Sequence, residues 1–338
     1  MRACIVGAGA IGCFVGARLA RAGVDVTLVA RGMHLRALQS AGLALLERDG
    51  SEGVHRLRAV ERLAQAGAQD LVILAVKAHQ VAPIAQELAA LPAGDVPLVT
   101  MQNGIPWWYF QRRPGPFAGR VVESVDPAGQ IAATIAPGSI VGCVVYPACE
   151  LVRPGVVRHV EGDRFPVGEP DGSLSPRVER ISRLFESAGL RSPVLPDIRS
   201  EIWLKLWGNL CFNPISALSR ATLAEICAEP HTRALAMAMM REAEAVATGL
   251  GASFRVPLEK RIEGAARVGH HRTSMLQDVE SARSTELDAL LGSVIELARL
   301  TGTPVPHLEA VYACATLLER TVCAGRGRQA PALAQKAA

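Results

Sequence analysis

The feature that most constrains this chain lies in its first thirty residues. Arg2-Ala-Cys-Ile-Val6 is a short apolar run, and Gly7-Ala8-Gly9-Ala10-Ile11-Gly12 follows at once. A helical apolar pattern then continues to about Ala22, and a second apolar run occupies 24–29. Strand, glycine turn, helix and strand, in that order, are the context in which G-x-G-x-x-G binds a dinucleotide. Gly7 makes the tight turn, Gly9 lets backbone N–H groups approach a pyrophosphate, and Gly12 lets helix and strand pack closely. The helix N-terminus adds partial positive charge where the phosphates arrive. A signal peptide is a poorer reading of this stretch, because the glycines break the apolar run and Arg18 and Arg21 fall inside it.

The end of the second strand selects the cofactor. NAD-binding units place Asp or Glu there, for the ribose 2′-hydroxyl. This chain has Ala30-Arg31, and Asp25 lies at the wrong end of the strand. An arginine with no acid beside it suits a 2′-phosphate, which predicts NADPH over NADH; a plain surface arginine is the alternative. Two further apolar runs, 70–76 and 97–101, end in Lys77 and in Gln102-Asn103-Gly104. Ligands bind at the C-terminal ends of such strands, so Lys77 and Asn103 are candidates for the same site. A lysine at a helix start and an Asn-Gly turn with positive φ are the competing readings.

The remainder reads in two parts. Residues 43–47 and 54–58 suggest short strands, and 120–125, 129–135, 140–146, 156–160 and 164–168 suggest five more that extend the sheet in antiparallel fashion. A helix is expected over about 174–188, and 190–196 is a last strand or connector. From 197 the pattern is helical almost to the end, with breaks near Pro214, Pro230, 249–251, Pro257, 269–274 and 302–306. The expected domains are therefore 1–196, an α/β nucleotide-binding domain, and 197–325, an all-α domain, with a frayed tail over 326–338.

Composition narrows the function class. Hydrophobic residues make up 49% of 338 and charged residues 20%, so a large core is available and disorder is not expected. The net charge is +4 and the 36 Lys and Arg are dispersed, which gives nucleic acid no basic stripe to bind. None of the eight cysteines forms a C-x-x-C pair or a zinc spacing, so no metal is expected and a reducing, cytoplasmic home fits. No run reaches 18 clean apolar residues, so no membrane span is expected. The assembly is left open, a homodimer included.

The helical part opens with Glu201-Ile-Trp-Leu-Lys-Leu-Trp-Gly-Asn-Leu-Cys-Phe-Asn213. Trp203, Trp207 and Leu210 recur at helical spacing and should face a core. Lys205, Asn209 and Asn213 recur every four residues, each step drifting only about 40° round the helix. One ammonium and two amides then project in a row from an element otherwise built to be buried, which suits a small anionic or carbonyl substrate. A surface lysine and two capping asparagines, with Pro214 ending the helix, is the competing reading. Downstream, Glu286 opens a largely apolar helix from Leu287 to Leu300. It is either a first-turn carboxylate behind a Thr285 or Ser284 cap, or part of a site.

Taken together, these residues resemble the ketopantoate reductase (2-dehydropantoate 2-reductase) family. The resemblance rests on Gly7–Gly12, Arg31, Val76-Lys77-Ala78, Gln102-Asn103-Gly104, the Glu201–Pro214 stretch, Ser274-Met-Leu-Gln-Asp278 and Thr285-Glu286-Leu-Asp288, and it spans the chain from residue 2 to about 320. It implies an N-terminal Rossmann-type domain and a C-terminal helical domain of the 6-phosphogluconate-dehydrogenase type, with a cleft between them. It implies NADPH along Gly7, Ala8, Gly9, Ala10, Ile11 and Gly12, with Arg31 at the 2′-phosphate and Lys77, Asn103 and Glu286 toward the nicotinamide half. Lys205 matches the family's catalytic lysine and Glu286 its substrate-binding glutamate; Asn103, Asn209, Asn213 and Ser274 match substrate-contacting positions. The implied reaction is NADPH-dependent reduction of ketopantoate to pantoate. A sibling reductase for another branched or aromatic 2-oxo acid, and a non-catalytic NADP sensor, are the alternatives. Two departures bear on the substrate. Leu223-Ala224 stands where the family often carries Asn-Gly, and Ile105-Pro-Trp-Trp-Tyr-Phe110 is unusually aromatic.

Overall fold

A computed structural model describes residues 1–90 and 96–329. The chain forms two compact units, one of Met1–Val122 with Asp126–Glu201, the other of Glu123–Val125 with the chain from Ile202 onward. The first is α/β. Its strands are β1 (Arg2–Val6), β2 (Asp25–Val29), β3 (Leu43–Leu46), β4 (Glu52–His55), β5 (Arg58–Val60), β6 (Leu71–Leu74), β7 (Leu98–Thr100), β8 (Ile140–Cys143), β9 (Ala148–Arg153), β10 (Val156–Glu161) and β11 (Val167–Gly168). Its helices are α1 (Ala10–Arg21), α2 (Gly32–Ala41), α3 (Ala85–Ala89), α4 (Gln130–Thr134) and α5 (Pro176–Ser187).

The main sheet has the order β11-β8-β7-β6-β1-β2-β5. All pairings are parallel except β11 with β8. The six parallel strands, counted in chain order, lie 6-5-4-1-2-3, which is the doubly wound order of dinucleotide-binding sheets. β6, and β1 after the exposed Arg2, are apolar and buried because the sheet is covered on both faces. The register matters for the site: Val29 pairs with Val6, Val6 with Leu74, and Leu74 with Thr100. The ends of β2, β1, β6 and β7 are therefore level, across three strand spacings or about 14 Å.

Several expected strands fall differently. The run 54–58 divides between β4 and β5, which belong to different sheets. Residues 120–122 are irregular and 123–125 form a turn, and 129–135 contains α4 instead of a strand. Asp126, fully buried, accepts hydrogen bonds from the N–H groups of Ile131 (2.7 Å) and Ala132 (2.8 Å) and so starts a helix in a β-rich stretch. β9 and β10 do not extend the main sheet. They join β3 and β4 in a separate sheet of order β4-β3-β10-β9, which packs on α1. Phe14 of α1 meets His159 there at 4.4 Å between ring centroids.

The second unit is helical: α6 (Ile198–Ser219), within which the unit boundary falls, then α7 (Leu223–Ala228), α8 (Pro230–Gly249), α9 (Leu258–Val268), α10 (Ser274–Glu280), a π-helical turn at Asp288–Gly292, α11 (Ser293–Thr301) and α12 (Pro306–Gln329). Pro214 does not break α6, contrary to the sequence reading. Leu210, Cys211, Phe212, Ile215 and Ala217 are buried on either side of it, and that packing outweighs one missing N–H. α12 covers the first four positions of the expected tail, and 330–338 lie outside the described residues. Among the described residues no helix is long and apolar enough to cross a membrane, and no cluster of His, Cys, Asp and Glu could hold a metal.

Candidate active site

In the α/β unit the glycine turn has the form its spacing predicts. Gly7 has φ +105°, and a Cβ there would lie 2.7 Å from a methyl of Val76. A Cβ on Gly12 would lie 2.0 Å from the Gly7 carbonyl oxygen, so α1 could not sit this close to β1 with any other residue. A Cβ on Gly9 would meet nothing within 4 Å. Gly9 is the N-cap of α1 and makes no side-chain cap, so the first-turn N–H groups open to that free space.

Beside the turn lies a cavity of about 430 Å³, lined by Gly7 and Ala8, by Val29, Ala30 and Arg31 after β2, and by His34, Glu61, Arg62, His79, Gln80 and Glu87 among others. Its size and its position at the end of β2 fit the adenosine half of a dinucleotide. Arg31, exposed, borders it as the N-cap of α2. His34 was not foreseen. Its Nδ1 accepts the Gly155 N–H at 3.0 Å, and its Nε2 stands 3.5 Å from the Cys13 sulfur. Burial lowers its pKa from the usual 6.5, so the ring stays neutral and Nδ1 stays an acceptor. Cys13, its thiol pushed up to about 12 by burial, donates to the Ala8 carbonyl at 3.4 Å. Together they brace the glycine turn from behind. The only sequence signal for His34 was its place one helical turn after Arg31.

Lys77 and Asn103 follow the level ends of β6 and β7. Lys77 is half-buried and starts a short 3₁₀ turn at Ala78–Gln80, its N–H donating to Gln80 Oε1 at 3.2 Å. Gly104 has φ +82°, so the Asn-Gly turn is real and also presents Asn103. Gln102 does what sequence reasoning missed. Its amide donates to the Leu74 (2.8 Å) and Val76 (3.1 Å) carbonyls, which ties the end of β7 to the end of β6 and fixes both neighbouring candidates. The aromatic run after it is core: Trp107, Trp108, Tyr109 and Phe110 are buried, and the Trp108 indole donates to Thr100 Oγ1 at 3.0 Å.

In the helical unit, Lys205, Asn209 and Asn213 share one stripe of α6. Lys205 and Asn209 are half-buried, and Asn213 is 7% exposed. Trp203, Trp207 and Leu210 are fully buried, and the Trp207 indole donates to the Met240 carbonyl at 2.7 Å, which fixes the rotation of α6. Ser274 is exposed at the first position of α10, behind the Thr273 cap. Glu286 is half-buried, immediately before the helix that holds the π turn. Leu287, the N-cap of the π turn, makes no side-chain cap, and the Thr285 hydroxyl, one of the two expected caps, donates to Glu319. Leu223 and Ala224 donate their N–H groups to the His271 and Gly269 carbonyls, at 3.2 and 3.0 Å.

The structure thus brings Gly7–Gly12, Arg31, Lys77 and Asn103 to one edge of the main sheet. It brings Lys205, Asn209 and Asn213 to one helix face, with Ser274 and Glu286 on other elements of the same unit.

Comparison with known proteins identifies the family. Residues 3–172 match the family profile described as ketopantoate reductase PanE/ApbA, and 197–319 match its C-terminal counterpart. A 2-dehydropantoate 2-reductase of Mesorhizobium japonicum is 51% identical over 314 residues, covering 93% of this chain and 96% of that one. One of Archaeoglobus fulgidus is 31% identical, covering 86% and 89%. Among solved structures, 2-dehydropantoate 2-reductase from Methylococcus capsulatus superposes with a TM-score of 0.79 at 26% identity, covering 95% of this chain and 98% of that one. With both halves matched, the chain belongs to the ketopantoate reductase family.

Proposed function

We propose that this protein reduces 2-dehydropantoate to the 2-hydroxy acid with NADPH. The observation that carries the reading is the coincidence of two features: a glycine turn and Arg31 at one level sheet edge, and a Lys-Asn-Asn stripe on α6 that runs from half-buried to buried. Bound NADPH supplies the hydride. The residues present fit it, since Gly9 leaves open space at the helix N-terminus and Arg31 borders the adenosine-sized cavity with no acid at the end of β2.

Reduction at a 2-oxo carbon builds negative charge on the carbonyl oxygen. The Lys205 ammonium stabilises that charge and delivers the proton. Asn209, Asn213 and Ser274 orient the carboxylate as neutral donors, and Asn103 serves the reacting end. Glu286 accepts a hydrogen bond from the substrate hydroxyl and favours the charged form of Lys205. The burial of Trp107–Phe110 removes the main argument for an aromatic substrate, so ketopantoate leads over its siblings. Cys4, Cys13, Cys143, Cys149, Cys211, Cys227 and Cys314 are free thiols, which supports a reducing compartment, the cytoplasm.

The test is NADPH oxidation with a panel of 2-oxo acids. Turnover is expected, fastest with ketopantoate. No turnover with any member would end the enzyme reading, and turnover with others only would select a sibling. Lys205→Ala is expected to lower kcat by about 10²-fold or more while NADPH affinity holds. Unchanged turnover would remove Lys205 from the mechanism.

A further inference from the structure

We propose that Glu319 of α12, together with Tyr312, is a positioning residue for the reduction: it fixes the chain at Thr285–Asp288 and through it the carboxylate of Glu286. The proposal rests on the reading of Glu286 as a substrate contact.

Glu286 belongs to no regular element; it is preceded by irregular chain and followed by the helix that starts at Leu287. Its neighbours Thr285 and Leu287 are both buried, at 7% and 4% exposure. Both donors of Thr285 go to one carboxylate. Its N–H reaches Glu319 Oε1 at 3.0 Å and its hydroxyl reaches Glu319 Oε2 at 2.7 Å. Two charge-assisted bonds to one group fix orientation as well as position, and here they fix the peptide that leads into Glu286.

Tyr312 holds the other side. Its hydroxyl donates to Asp288 Oδ1 at 2.6 Å. Tyr312 and Glu319 are seven residues apart, so they stand on one face of α12. Gly292 lies against that face: a Cβ there would stand 3.4 Å from the Tyr312 ring and hydroxyl, at contact distance. α12 therefore grips the segment before and after Glu286.

A π turn, Asp288–Gly292, starts at the second of these grips. One extra residue per turn swings what precedes it by about 100° relative to a regular α-helix. π turns persist where the surroundings hold them, and they gather at functional sites. The direction of Glu286 is thus set by the grip of α12 and not by the register of α11. A helix cap alone needs no residue 34 positions away, and neighbouring α10 is capped by its own Thr273.

The experiment is a double-mutant cycle on the full chain, read as kcat and KM for the 2-oxo acid and as the dissociation constant of NADPH. Glu319→Ala is expected to lower kcat/KM about 10- to 100-fold, the scale of a small misplacement of a substrate-positioning group, with NADPH binding unchanged. In a Glu286→Ala background the same substitution is expected to add less than about threefold, because residues that act through one another are not additive. Tyr312→Phe, which removes a single oxygen and should fold in any case, is expected to give a smaller loss that also vanishes in that background. Losses that multiply in the double variants would overturn the proposal. A Glu286→Ala enzyme with wild-type kinetics would instead remove Glu286 from the site, and the proposal with it.

Discussion

Arg31 shows how much rests on one side chain. It stands two residues past the end of β2, with no acid directly following that strand, and it borders the cavity that Glu61 and Glu87 also line. Arg31→Ala is expected to weaken NADPH binding by about ten- to a hundredfold, the value of one or two charge-assisted hydrogen bonds, and to change NADH binding less than about threefold. Equal losses in a fluorescence titration with each cofactor would show that Arg31 does not read the 2′-phosphate. Residues of this kind were legible in the sequence because they sit at a fixed offset from a motif. His34 and Gln102 were not. The partner of His34 is the N–H of Gly155, and Gln102 acts on carbonyls of the neighbouring strand. Only the fold brings those groups into reach.

At the scale of elements, the glycine turn makes a sharper claim than its pattern alone. Gly9 has φ −78° and open space at its Cβ position, so alanine there meets no steric cost in the free protein. Gly9→Ala should hold or slightly raise the melting temperature, by up to about 1 kcal/mol of stability, and still weaken cofactor binding. Gly12→Ala puts a methyl 2.0 Å from a backbone oxygen, so it should lower the melting temperature, at a cost of about 1–3 kcal/mol, and weaken binding too. A matched pair of melting curves and titrations separates the two. If Gly9→Ala binds as tightly as the wild type, the phosphates do not approach there.

Helix α6 and helix α4 teach the opposite lesson. Proline and β-branched residues argued for a break and a strand, and packing around Pro214 and the buried Asp126 carboxylate decided otherwise. Local preferences are worth tenths of a kcal/mol per residue for most types and about 3 kcal/mol for an interior proline, and the several side chains buried around Pro214, at about 1.5–3 kcal/mol each for the large ones, exceed that.

On the scale of the whole chain, distant segments are tied by a few buried polar groups. Arg199, 7% exposed, donates to the carbonyls of Tyr109 (2.7 Å), Gln111 (2.8 Å) and Pro170, closing the α/β unit across some 90 positions. Burial pushes its pKa down to about 10, so it keeps its charge at neutral pH. Arg199→Met would leave three carbonyls without their donor. It should cost on the order of 3 kcal/mol or more in urea unfolding, and an unmoved midpoint would show that water replaces the guanidinium without loss.

The sequence by itself determined the α/β-then-helical order, the glycine turn, the strand-end candidates and the Lys205-Asn209-Asn213 stripe, because each is written in a short-range period or spacing. The tertiary structure alone decided the level register of four strand ends, the second sheet, the π turn and the hold of α12 on Thr285–Asp288. Those depend on pairings between residues tens of positions apart, where free energy comes from burial and hydrogen-bond geometry and no local pattern records it.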